Sequence, residues 1–525
     1  MDPGFDPFQR SKESGLGFGQ SQVAERSACV RSASKDRGHA HHFGQPPKPF
    51  LSPPAFVFSG EDEYFRTRQE VKAREQSMGF DHACTVKSSK NERLANTIIQ
   101  ALKQLDNERV YRPAEPRVGF GGQRHARVAG DHFLSNVDLI DQTDLFRVAQ
   151  KMPKGAHLHI HFNACLLPNV LLEIAKTMDH PVLSLRPEQE RPGNLFTSAY
   201  ESRQTMRFQE FLSTFASNYP HASVDDWFKS KIVFDEEEAH NHLQTCAGIW
   251  QKFNGRTRLM KGLFNYERAY RTYTRLLLED FVRDNIQYAE IRPNFMETNQ
   301  LVTDDASRNI DNYGIMEIII DEYHKFQAQT KDYFGGSRSS TTFVPEFLEF
   351  RAQCERENLD IPFLFHCGET LDIGTDIDGN LVDALLLNAK RIGHGFALAR
   401  HPYIMEQMKQ RGVCLELCPI SNEILGLAPR VNGHAMYTLL ANNVPCTVSS
   451  DNGTLFRSTL SHDFYQVMIG RADMTLHGWR QLVEWSLQHS CMSTEERQGV
   501  WRKWEVMWDE FLGWIIAEYG SATAA

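Results

Sequence analysis

The sequence predicts an α/β fold in which a parallel sheet is joined by crossover helices. Three observations carry this expectation. Five apolar runs ending in polar residues read as buried strands: IQYAEIRPN (286–294), PFLFHCGET (362–370), KRIGHG (390–395), VCLELCPISN (413–422) and VPCTVSSDN (444–452). Helix-like stretches such as NLVDALLLNAK and YIMEQMKQR lie between them. The chemistry-bearing residues stand at the C-terminal ends of the runs, where parallel α/β sheets gather their ligand groups.

Taken in order, residues 1–58 are rich in Gly, Ser, Pro and charge, as in GQPPKPFLSPP, and predict a disordered leader. Its GHAHHF cluster has no strand beneath it and reads as a flexible polar tail. Residues 59–150 predict a helical N-terminal extension, because NERLANTIIQALKQL repeats its apolar positions at three and four residues. That extension offers a face for a homodimer. The main body, 151–525, opens on MPKGAHLHIHF, a sixth strand, and carries a helical insertion at about 165–250. Within it, His240 and His242 of DEEEAHNHLQ fall on helix or acidic loop, where i, i+2 rings diverge, and read as a solvated face. Between Asn294 and Pro362 there is one helix, around Tyr313 to Gln329, and then FGGSRSSTTFVPEF, in which no buried strand is legible. DFYQVMIG and ERQGVWRKWEVMWDEFLGWI predict amphipathic closing helices whose Trp and Met residues pack.

Composition narrows the function classes. With 41% hydrophobic and 24% charged residues over 525 positions, the chain has ample material for a large core. A formal net charge of −10 argues against nucleic acid as a partner. No apolar run is long enough to cross a bilayer, so no membrane partner is expected. MDPGFDPFQRSKESGLGFGQ lacks the apolar core of a secretion signal, which favours a cytoplasmic location. The ten cysteines are dispersed, and Cys414 and Cys418 form no CxxC, so neither a disulfide scaffold nor a structural zinc knuckle is indicated.

The histidines of MPKGAHLHIHF are informative because alternate residues of a strand share a face. His159 and His161 therefore project together, with His157 deeper on the same parity as a packing or hydrogen-bonding residue. Other strand ends supply His366 with Glu369, His394, and Asp451. Each has an ordinary reading by itself: a core histidine, a turn residue, or Asp-Asn-Gly turn chemistry. Brought together by consecutive strands, three imidazoles and a carboxylate suit zinc, with an open position at which water is activated near neutral pH.

MPKGAHLHIH, HCGET, RIGHGFAL, ELCPISN and SSDN, in that order, resemble the adenosine deaminase superfamily. The longer region after the first strand, together with LSHDFYQVMIG, is most similar to its adenosine deaminase-related growth factor branch, over about residues 60 to 518. The resemblance implies a metal-dependent hydrolase (β/α)8 TIM-like barrel with one Zn2+ per chain on His159, His161, His366 and Asp451. It implies that Glu369 donates a proton to purine N1 and that His394 orients the attacking hydroxide. It places Gly368 where backbone approaches the purine, and Trp250, in IWQKF, at the border of the pocket. Adenosine or 2'-deoxyadenosine would then be hydrolysed to inosine-type product and ammonia in purine metabolism. The HxE and PCxxC pair of zinc cytidine deaminases and the HExxH of zinc proteases are absent.

Three departures bear on substrate and fold. Asn452 stands where the family has a second Asp that contacts purine N7, and its amide could still donate there. Phe162 and Asn163 follow His161 where an acidic residue meets the sugar. Loss of that carboxylate removes repulsion toward a 5'-phosphate, so adenine nucleotides join the expected purine substrates. The six legible strands leave an eight-stranded barrel short of two βα units, through a real deletion or a gene-model difference. An incomplete barrel also admits a catalytically impaired, growth-factor-like binding protein, or a hydrolase of another cyclic amidine. Because relatives in the branch are often secreted, an extracellular location is the alternative.

Overall fold

Six apolar runs and one glycine-rich segment become seven parallel strands in a computed structural model, which describes residues 56–118, 122–178, 182–185, 204–295, 301–329, 334–337 and 344–523. They are β1 (Ala156–His161), β2 (Tyr288–Arg292), β3 (Phe334–Ser337), β4 (Leu364–Cys367), β5 (Arg391–His394), β6 (Cys414–Leu417) and β7 (Cys446–Val448). One sheet has the order β1-β2-β3 and the other β4-β5-β6-β7. A parallel bridge between Ile160 and Asp451 joins β1 to the chain leaving β7, with His161 N donating to the Asp451 carbonyl at 3.0 Å. Across β4 and β5, His366 pairs with Gly393 and Cys367 with His394, so these strands end level. Leu158, Ile392, Leu415 and Val448 are buried, as expected of strands covered on both faces.

β3 corrects the strand count. The segment that gave no strand signal supplies FGGS, which pairs in parallel with β2 from Tyr288↔Phe334 to Ile291↔Ser337. Two glycines in four residues leave neither alternation nor β-branched bulk to read, so backbone pairing alone makes it a strand. Among the described residues seven parallel strands are present rather than six. Among the described residues no strand pairs β3 with β4.

The helices are amphipathic for identifiable reasons. Helix Asp376–Leu386 follows β4, capped by Thr375, and buries Leu381 and Ala384. Helix Lys90–Asp106 is capped by Ser89 Oγ, which accepts from Glu92 N at 3.1 Å, and buries Ala95, Ile98, Ile99 and Leu102. It packs on the chain's own C-terminal helix Thr494–Tyr519, itself started by a capping box of Ser493 and Glu496. The apolar face offered above for a homodimer is thus used within the chain. Trp479, Trp504 and Trp508 are buried, and the expected packing role of the C-terminal aromatics holds.

By its contacts the chain divides at Arg66 into two units, Met1–Arg66 and Thr67–Ala525. In the first, Phe58 meets the ring of Tyr64 edge-on at 5.3 Å. The leader and its GHAHHF cluster lie outside the described residues, apart from 56–58. The second unit holds all seven strands. Among the described residues no helix is long and apolar enough to cross a membrane.

Candidate active site

The end of β1 presents the two histidines. His159 is fully buried, and its Nδ1 lies 2.8 Å from Glu416 Oε2 on β6. A carboxylate at Nδ1 draws the ring proton there and leaves Nε2 with a lone pair. Arg292 of β2 bonds the same Glu416 carboxylate through Nη2, and its Nη1, 2.8 Å from His159 Nδ1, is a second donor that competes for that nitrogen. His159 Nε2 faces Asp451 Oδ1 at 3.5 Å, and His161 Nε2 faces the same oxygen at 3.1 Å. His366, from the end of β4, brings its Nε2 to 3.3 Å from that of His161. His157 instead accepts from Ser450 N at 3.1 Å, the packing role foreseen for it.

Asp451 and His394 both occupy the left-handed backbone region, with φ of 59° and 62°. Side chains with a Cβ are uncommon there, and such strain collects at functional sites where the surroundings hold it in place. Asp451 Oδ2 accepts from Ser421 Oγ at 2.7 Å, and Oδ1 accepts from Asn452 Nδ2 at 2.8 Å. Burial alone would raise its pKa, but the neighbouring imidazoles of His159 and His161 outweigh burial and hold it well below the usual carboxylate range.

A backbone-anchored relay fixes the tautomer of His394. Met436 N donates to His434 Nδ1 at 2.9 Å, so His434 carries its proton on Nε2 and gives it to Asn422 Oδ1 at 2.9 Å. The Asn422 amide therefore turns its NH2 toward His394 Nδ1, 3.1 Å away. The His394 proton is left on Nε2. Glu369 Oε1 lies 3.3 Å from His394 Nδ1, buried and without a hydrogen-bond partner. Burial, followed by the charge of Asp451, pushes its pKa well above the ordinary glutamate value, which favours the protonated form.

The donor set fits a metal. Burial lowers the pKa of His161, and that of His366 falls well below its usual value, so both offer lone pairs at neutral pH. Nitrogens of His159, His161 and His366 lie within 4.8 Å of one another. Two donors each about 2.1 Å from a tetrahedral zinc are about 3.4 Å apart, and the three closest separations here are 3.1, 3.3 and 3.5 Å.

The predicted substrate residues are placed less uniformly. Gly368 has φ of +64°, but its N–H donates to Asn380 Oδ1 at 2.9 Å and its carbonyl accepts from Ala397 N at 2.8 Å. Asn452 directs its amide to Asp451 as described. Asn163 is half-buried in the turn directly after His161, whereas Phe162 is buried against Phe264, Tyr270 and Tyr273 and turned into the core. Trp250, on helix Cys246–Phe264, is half-buried and packs edge-on against Phe253, which stacks on Phe456. Any effect of Trp250 on the histidine cluster would run through that aromatic stack.

Sequence reasoning missed the supports. Glu416 is also bound by Arg391 at 2.7 Å, and Arg391 by Glu290 at 2.5 Å, giving a buried ladder across β2, β5 and β6. The available signal was a charge inside each apolar run: Glu290 and Arg292 in IQYAEIRPN, Arg391 in KRIGHG, Glu416 in VCLELC. Gly393 is a further support, since a Cβ there would come within 2.6 Å of His159 Cε1 and 2.9 Å of its Nδ1. Gly393→Ala is expected to displace the ring and weaken metal binding by about 10–100-fold, the scale of losing an outer-shell partner. Competitive chelator titration of the variant measures this, and unchanged affinity would show that the ring seat is not needed.

One histidine reading is overturned. His240 is not on a solvated face: its side chain is 8% exposed and its ring stacks on His132 at 3.9 Å. The acidic composition of DEEEA hid a tertiary contact that periodicity cannot register. His242 is exposed, as expected.

Sequence comparison finds a match to the adenosine deaminase family model over residues 339–505, a span that contains His366, Glu369, His394 and Asp451. The chain is similar to adenosine deaminase 2-A of Danio rerio, 28% identical over 469 residues, covering 81% of this chain and 89% of that one. It is 24% identical over 480 residues to adenosine deaminase 2 of Homo sapiens, covering 80% and 87%. Among solved structures, an arabidopsis N6-mAMP deaminase aligns at 15% identity and a TM-score of 0.47, over 69% of this chain and 99% of that one.

Proposed function

We propose that the chain, similar over 81% of its length to adenosine deaminase 2-A of Danio rerio, is a member of the adenosine deaminase superfamily that removes the 6-amino group of adenosine or 2'-deoxyadenosine by hydrolysis, releasing inosine-type product and ammonia. The observation that carries this reading is the gathering of His159, His161, His366 and Asp451 beside a buried, unpartnered Glu369. Zinc held by those four residues would supply Lewis-acid activation of water near neutral pH. Glu369, protonated through burial, gives its proton to purine N1 and so draws electron density from carbon six. His394, with its proton on Nε2, holds the attacking oxygen by donation. Of the two protons that water brings, one leaves with the amino group as ammonia, and the other, released as the oxygen on carbon six becomes a carbonyl, returns to Glu369.

The seven parallel strands among the described residues support a TIM-like barrel. With Phe162 turned into the core, the case for a 5'-phosphate rests on Asn163 alone. The cytoplasmic location favoured from the leader finds no support in the adenosine deaminase 2 relatives, whose branch resemblance supports the extracellular one.

The direct test is ammonia release by zinc-loaded protein offered adenosine, 2'-deoxyadenosine, adenine, AMP and ATP. Turnover of the two nucleosides is expected. Silence from folded, metal-bound protein would overturn the reading, and AMP turnover within about tenfold of adenosine would extend it to nucleotides.

A further inference from the structure

The corrected position of His240 exposes a second cluster. His132 precedes helix Phe133–Ile140, His240 closes the turn Glu236–Ala239, and Glu423 lies on helix Pro419–Ile424. The two imidazoles stack with 27° between their planes. His132 Nδ1 and His240 Nε2 both lie near one oxygen, Glu423 Oε1, at 3.9 and 3.8 Å. Neither nitrogen has a hydrogen-bond partner, although both are buried.

These distances exceed those of a hydrogen bond, about 2.7–3.2 Å, and an unsatisfied buried polar atom destabilises the fold. Two such atoms aimed at one carboxylate therefore call for an occupant. A cation about 2.0–2.1 Å from each donor spans the gap at a wide angle. The carboxylate is held in place, because Glu423 Oε1 accepts from Phe133 N at 2.6 Å. Burial lowers the pKa of both rings, that of His240 to about 3, and raises that of Glu423 to about 8, so a cation would displace the Glu423 proton on binding. The pair Asp131–Arg430, at 2.5 Å, borders the cluster and is already self-neutralised. His132, with 26% of its side chain exposed, opens the site to solvent.

We propose that His132, His240 and Glu423 form a second divalent-metal site of the zinc class, with water completing the shell. Two imidazoles and a carboxylate are borderline-to-hard donors of that class. The three ligands come from segments far apart in sequence, so the ion acts as a cross-link. Glu423 adjoins Asn422, the residue that orients His394, and the cross-link thereby braces the floor of the catalytic site. This proposal does not rest on the deaminase reading.

The experiment is metal stoichiometry by mass spectrometry on full-length protein, stripped with chelator, equilibrated with zinc and desalted. Two zinc ions per chain are expected in the wild type, one in His240→Ala, one in His159→Ala and none in the double variant. A single ion in the wild type, or two retained by His240→Ala, overturns the assignment. Should His240→Ala fail to fold, His132→Ala and Glu423→Gln replace it with the same expectation. A second readout is the unfolding midpoint of His159→Ala, which zinc should raise, and which it should leave unmoved in His159→Ala/His132→Ala. An unmoved midpoint in His159→Ala itself counts against the site. Ammonia release is scored separately, so a failed deaminase reading and a missing second metal are distinguishable.

Discussion

Glu369→Gln is expected to lower ammonia release from adenosine by about 10²–10⁴-fold, the usual worth of a positioned general acid, with metal content unchanged. The amide keeps the shape of the carboxyl and its place 3.3 Å from His394 Nδ1, and Glu369 is not among the clustered metal donors. What it loses is the acidic proton. In the wild type, burial and then Asp451 raise the pKa of Glu369 well above its ordinary value, so the protonated, active form persists to higher pH than in an ordinary glutamate. The sign follows: activity should fall as pH rises through that raised pKa, and this basic limb should be missing from any residual activity of Glu369→Gln. Steady-state kinetics across pH, with metal analysis of the same samples, checks both points. Turnover near the wild-type rate would remove Glu369 from the mechanism.

Glu369 also shows why the reactive centre was legible in the sequence while its supports were not. A residue at the end of an apolar run is exposed to inspection: His159, His161, His366, His394 and Asp451 each interrupt a strand where a parallel sheet turns outward. Their shared location needed only strand parity and strand order. Glu416, Arg391 and Glu290 lie inside runs, and nothing local says which strands will be neighbours. Pairing of β2, β5 and β6 through side chains is a tertiary fact, as is the stacking of His132 on His240 across more than a hundred residues. β3 failed for the opposite reason, since FGGS carries almost no side-chain information and its strand character comes from pairing with β2.

The buried ladder yields the second large effect. Glu416 and Arg391 are 0% and 1% exposed, and Arg292 approaches the same carboxylate from β2. Glu416→Gln leaves Arg391 paired with Glu290 alone and takes from Arg292 the carboxylate it bonds, and breaking a buried ion pair from one side costs about 3–5 kcal/mol. The same change replaces the carboxylate at His159 Nδ1, so metal affinity should fall about 10–100-fold as well. Burial opposes the ionised form of Glu416, yet Arg292 and then Arg391 hold its pKa well below the ordinary value. A depressed folded pKa means that the stability it supplies is complete above the unfolded value, about 4.3, and is lost as pH falls toward the folded one. The stability gap between wild type and Glu416→Gln, measured by urea unfolding of metal-free protein, should be widest near pH 7 and shrink below about pH 4.3. A gap that stays constant from neutral to acid pH would mean that the loss is one of packing, and that the charge on Glu416 does not hold the ladder together.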